Sequence, residues 1–87
     1  KKVDIVFGDV DLEAGNFIVQ TGAFEIKENA INQAGSLSKL TNSKCGVILE
    51  YKLYKVRFGY FATADEAVKC AEKLNKNGKY VFIGVLE

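Results

Sequence analysis

The sequence carries an internal duplication. Residues 17–24 read FIVQTGAF and residues 54–61 read YKVRFGYF, both fitting aromatic-x-Val-x-x-Gly-x-Phe at an offset of 37. The match continues: Asn29-Ala30 aligns with Glu66-Ala67, Ala34 with Ala71, and Leu37 with Leu74. The first half of each unit alternates with period two, and the second half spaces its apolar residues as a helix does. Each unit therefore reads as a strand followed by a helix.

In the first strand Phe17, Val19 and Thr21 share one face, with Ile18 and Gln20 on the other. In its copy Tyr54, Val56 and Phe58 oppose Lys55 and Arg57. The first helix is expected over residues 27–41, with Ala30, Ala34, Leu37 and Leu40 inward. Gly35 interrupts it at a cost of about 1 kcal/mol against Ala, which suggests close packing there. The second helix is expected over residues 64–77, with Ala67, Cys70, Ala71 and Leu74 inward. Thr63 and Glu66 have capping-box spacing at its start, and Asn77-Gly78 is a stop signal. A further strand follows each helix, over Cys45–Glu50 and Tyr80–Val85.

Two such units need each other to bury their helices. The expected fold is α+β: a ferredoxin-like βαββαβ arrangement, with a four-stranded antiparallel sheet and both helices on one face. Tyr51-Lys52, between the second and third strands, contains neither Gly nor Asn and leaves the turn type unassigned. Residues 1–15 stand outside the repeat. Val3, Ile5 and Phe7 alternate as a short extra strand would, and the acidic stretch Gly8–Gly15 reads as linker. Residues 16–87 form the expected domain.

At 87 residues, 48% of them apolar, the chain holds one core and is not of disordered composition. No apolar run approaches the ~18 residues of a membrane span, and no signal-peptide pattern is present. The absence of Met suggests a domain excised from a larger protein. A net charge of +1 excludes a strong overall basic field, so any polyanion site must be a local patch. With no His, the commonest general base and metal ligand is missing, and no cofactor or metal site is expected. Cys45 and Cys70 cannot make a zinc site alone and read as small buried apolar groups, with a disulfide left open.

The sheet face away from the helices offers the candidate site. Strand parity gives it Ile18 and Gln20 from the first strand and Lys55 and Arg57 from the third. Ile48 and Glu50 come from the second strand, and Tyr80 and Phe82 from the last. Val81, Ile83 and Val85 form the expected core side of that last strand. Gln20 and Arg57 hold corresponding repeat positions on the two central strands and should be neighbours. Exposed aromatics beside Arg and Gln suit a flat polar ligand better than water.

These residues, from FIVQTGAF through Asn29-Ala30 and Leu37 to YKVRFGYF, Glu66-Ala67 and Leu74, resemble the SPOR domain family over about residues 16–86. The resemblance implies a ferredoxin-like, non-catalytic module that binds peptidoglycan glycan strands stripped of stem peptides. It implies targeting of a parent protein to the septal wall, and a bacterial periplasmic or envelope location behind an anchor or export signal. It also implies binding through the open sheet face, with Gln20, Lys55, Arg57, Ile18 and an aromatic at Tyr80 or Phe82 as contacts. The domain is then a monomer that neither inserts into the membrane nor binds nucleic acid. The family's frequent Ser in Gly-Ser-Phe is Ala23 here, which removes one donor.

Three other functions share this topology. Acylphosphatases carry a Val-Gln-Gly signature followed by a phosphate-gripping Arg, but here Val19-Gln20 leads to Phe24 and Glu25, and a carboxylate repels phosphate. More widely, neither Cys has a His to activate it. RNA-recognition motifs stack bases on sheet aromatics, but Arg57-Phe58-Gly59-Tyr60-Phe61 lacks the first Gly of their signature and turns Phe58 inward. Protein binding through the same sheet face is the remaining alternative.

Overall fold

The computed structural model describes residues 3–41, 43–76 and 81–86. The chain runs β1 (Asp4–Gly8), β2 (Phe17–Phe24), α1 (Lys27–Leu37), β3 (Cys45–Glu50), β4 (Leu53–Phe61), α2 (Ala64–Lys76) and β5 (Phe82–Val85). A 3-10 turn, Ser38–Leu40, extends α1. The sheet has five strands in the order β1-β3-β4-β2-β5, and every pairing is antiparallel. Within it, β3-β4-β2-β5 is the expected four-stranded arrangement. The fifth strand, β1, adds to the edge of β3 and corrects the four-stranded expectation. Its β-rich stretch, from Asp4, finds an unpaired backbone edge there.

The two repeat units build one core. Ala30, Ala34 and Leu37 of α1 and Ala67, Cys70 and Leu74 of α2 pack with Val19, Val47, Val56 and Phe58 of the sheet. Both helices therefore cover the same face, and small Ala residues let them sit close to the strands. Thr63 and Glu66 form the capping box: Glu66 N–H donates to Thr63 Oγ1 at 3.2 Å, and Thr63 N–H to Glu66 Oε1 at 3.4 Å. The α1 start has no side-chain cap. Gly35 is not a close-packing site, since a Cβ there would meet nothing within 4 Å. The stop signal Asn77-Gly78 lies outside the described residues.

The β3–β4 link is a two-residue hairpin between the paired Glu50 and Leu53. Tyr51 and Lys52 both have positive φ, 54° and 66°, the pattern of a type I′ turn. Among the described residues no helix is long and apolar enough to cross a membrane.

The opposite sheet face is not open along its whole length. The segment after β1, expected as linker, folds back across it. Val10, Ile18, Ile48 and Tyr60 form a second apolar cluster, with Val3, Leu12 and Leu86 packed against it. Backbone bonds secure the cover: Asp11 N–H donates to Gly59 O, and Tyr60 N–H donates to Asp11 O, both at 3.0 Å. A Cβ on Gly46 would lie 2.6 Å from Phe7 O and 2.7 Å from Val10 Cγ2, so the close crossing needs glycine. Gly59, at φ 97°, sits at a register shift between β2 and β4. The extra residue lets Phe58 point into the helix-side core while Tyr60 turns to the opposite cluster.

Candidate functional site on the uncovered sheet face

The part of the face left uncovered carries a polar network. Gln20 and Arg57 are directly paired across the two central strands, as their repeat positions imply. Arg57 Nε donates to Gln20 Oε1 at 2.9 Å. Its two terminal nitrogens donate to Tyr60 Oη at 3.0 Å and to Glu50 Oε1 at 3.0 Å. Lys55 Nζ donates to the same Glu50 oxygen at 2.9 Å. The chain has thus placed one carboxylate between two cations, and the trio carries a net charge of +1. The hydrogen bond from Lys55, aided by the charges of Arg57 and Lys55, holds the Glu50 carboxyl below its ordinary range against the opposing effect of burial.

Arg57 is only 4% exposed. Instead of an outstretched guanidinium it is the floor of the site, with each of its nitrogens engaged. The bond from its Nε occupies the Gln20 oxygen, and the NH2 of the same amide is a donor group not used in that bond. Ile18 lies on the expected face but is 4% exposed, buried by the segment around Val10. Phe82 pairs with Gln20, shares its face and is 60% exposed. Tyr80 lies outside the described residues. Ile83 and Val85 flank Phe82 on an edge strand and stay largely exposed, whereas Val81 packs against the core. The pairing of Ala23 with Lys55 sets the side-chain-poor Ala23 on this face.

Sequence reasoning missed Tyr60 and Tyr51. Strand parity puts Tyr60 with Phe58, and only the irregularity at Gly59 reverses it; a Gly inside a strand pattern was the available signal. Tyr51 sits in the hairpin, beyond the reach of parity. Its ring centroid is 5.4 Å from Lys55 Nζ, a cation–π contact.

Among the described residues, no three His, Cys, Asp or Glu side chains group as metal ligands would. Both cysteines are free. Burial pushes the Cys45 thiol up to about 12, with Cys70 adding to the effect, and burial raises the Cys70 thiol as well.

A model of the SPOR domain family matches residues 13–83. The chain belongs to the SPOR domain family. This SPOR domain is similar to the peptidoglycan-binding domain of the Bacillus subtilis cell wall lytic enzyme CwlC. The two are 28% identical with a TM-score of 0.73, over 88% of this chain and 96% of the other. It shares its fold with the RlpA SPOR domain of Pseudomonas aeruginosa, at 22% identity and a TM-score of 0.61, over 78% of this chain and 96% of that one. A search of curated proteins found no match. The family match begins at residue 13, so β1 and the residues that cover the sheet face near Val10 precede it.

Proposed function

We propose that this SPOR domain binds peptidoglycan through the uncovered part of its sheet face. The observation that carries this reading is its likeness, along nearly the whole of both chains, to a domain described as peptidoglycan-binding. We further propose that the ligand is a glycan strand without stem peptides, and that the domain thereby directs a parent envelope protein to the septal wall.

The chemistry of the face supports the narrower reading. Exposed Phe82 offers a ring to the C–H face of a sugar. The Gln20 NH2, oriented by Arg57, can donate to a hydroxyl or acetamido oxygen. The net positive charge of Lys55, Arg57 and Glu50 attracts the lactyl carboxylates that peptide-free muramic acid exposes. A stem peptide converts that carboxylate to an amide and stands between the sugar and a flat sheet. Ile18 lies under the segment around Val10 and offers the ligand no surface, and Arg57 acts chiefly by holding Gln20 in place.

Co-sedimentation with sacculi before and after amidase treatment tests the proposal. The domain is expected to pellet more with the stripped material. Equal pelleting with both would refute the specificity for peptide-free strands, and no pelleting with either would refute peptidoglycan binding.

A further inference from the structure

The hairpin tip between β3 and β4 holds two residues that local preference disfavours there. A two-residue turn with both φ positive favours Asn-Gly or Asp-Gly, because a Cβ is crowded in the left-handed region. This chain places Tyr51 and Lys52 there, at φ 54° and 66°. Residues kept in such conformations against their preference cluster at ligand-contacting positions.

The position of the Tyr51 ring gives the choice a purpose. Tyr51 is 75% exposed, so the ring does not contribute core packing. It is nevertheless located: Lys55 Nζ lies 5.4 Å from its centroid, and the same ammonium bonds Glu50, which bonds Arg57. The ring is therefore attached to the end of the polar network that runs from Gln20 across the central strands. An aromatic surface held beside a donor-rich face is what a pyranose needs, apolar C–H groups against the ring and hydroxyls toward the donors.

We propose that Tyr51 is a glycan-contacting residue, a stacking platform that extends the site to the hairpin tip and makes it read a polymer. The proposal rests on the peptidoglycan reading above. Phe82 and the base of the hairpin at Leu53 are separated by two strand spacings and four residues of rise, on the order of 16 Å. One sugar cannot touch both aromatics, whereas an extended strand lying along the face can.

The test uses the 87-residue chain and three variants, Tyr51→Phe, Tyr51→Asn and the double change Tyr51→Asn with Lys52→Gly. Thermal melts by circular dichroism are paired with pelleting on amidase-treated sacculi. Tyr51→Asn is expected to melt at or above the parent temperature, since Asn tolerates the left-handed turn, while binding falls about tenfold. Tyr51→Phe keeps the ring and is expected to bind within about twofold of the parent. If Tyr51→Asn fails to fold, the double variant, with the turn pair that local preference favours, supplies the same measurement. Parent-like binding by the folded Asn variants would overturn the proposal and leave the peptidoglycan reading intact. Loss of binding in Tyr51→Phe would also overturn it, by assigning the contact to the hydroxyl. A parent chain that binds no sacculi would overturn both.

Discussion

Replacing Arg57 with alanine is expected to destabilise the fold by about 3 kcal/mol. The side chain donates three hydrogen bonds, two to the neutral Gln20 and Tyr60 and one to the Glu50 carboxylate. Bonds from the guanidinium to the two neutral partners contribute about 1.5 kcal/mol each, the low end for a charged group, and the ion-paired one roughly 1.5–3 kcal/mol, so the simple sum is about 4.5–6 kcal/mol. Two features lower it. Glu50 keeps its 2.9 Å partner Lys55, so no carboxylate is stranded without a cation. Water can also reach the vacated space from the uncovered part of the face and serve Gln20. For a chain of this size, total stability is on the order of 4–13 kcal/mol, so the loss is a large fraction of it. The melting temperature should fall by roughly 12–24 °C. Urea unfolding followed by far-ultraviolet circular dichroism measures the change as a lower midpoint at unchanged slope. Arg57→Lys should recover only part of the loss, because an ammonium cannot reproduce the planar fork that reaches three partners. A change within about ±0.5 kcal/mol, ordinary for a surface residue, would refute the buried network. Binding of the Ala variant must be read with this result in hand, since loss of binding and loss of fold would otherwise coincide.

Two further outcomes follow from the titrating groups. The Glu50 carboxyl titrates below its ordinary value of 4.5, so its contribution to stability is complete above that pH and is lost as pH falls through the lower folded-state value. Melting temperatures taken from neutral pH downward should fall below that value, less steeply in Glu50→Gln than in the parent; parallel curves would remove Glu50 as the source. The thiols should react slowly with an alkylating reagent at neutral pH and rapidly in urea, because burial holds Cys45 at about 12 and raises Cys70. A thiol titre of zero in the unreduced protein would show a disulfide in place of two free cysteines.

The amino-acid pattern by itself determined the local faces. Period-two alternation in FIVQTGAF and its copy, and the spacing of Ala30, Ala34 and Leu37 against Ala67, Cys70 and Leu74, specify which side chains must be shared by one core. The duplication then leaves few ways to pair the strands, so the sequence alone puts Gln20 and Arg57 side by side, as they are in the sheet. Their shared face was legible for the same reason. What lies over that face was not. Arg57 is engaged by Tyr60, which turns at Gly59, and by Glu50, which reaches across from the neighbouring strand, while residues near Val10 fold back over Ile18 and Ile48. None of these contacts follows a sequence period, and the packing of Val10 on Ile48 also joins positions far apart in the chain. Parity states which side of a sheet a residue faces, and only the tertiary structure decides whether that side meets water, a ligand or another part of the same chain.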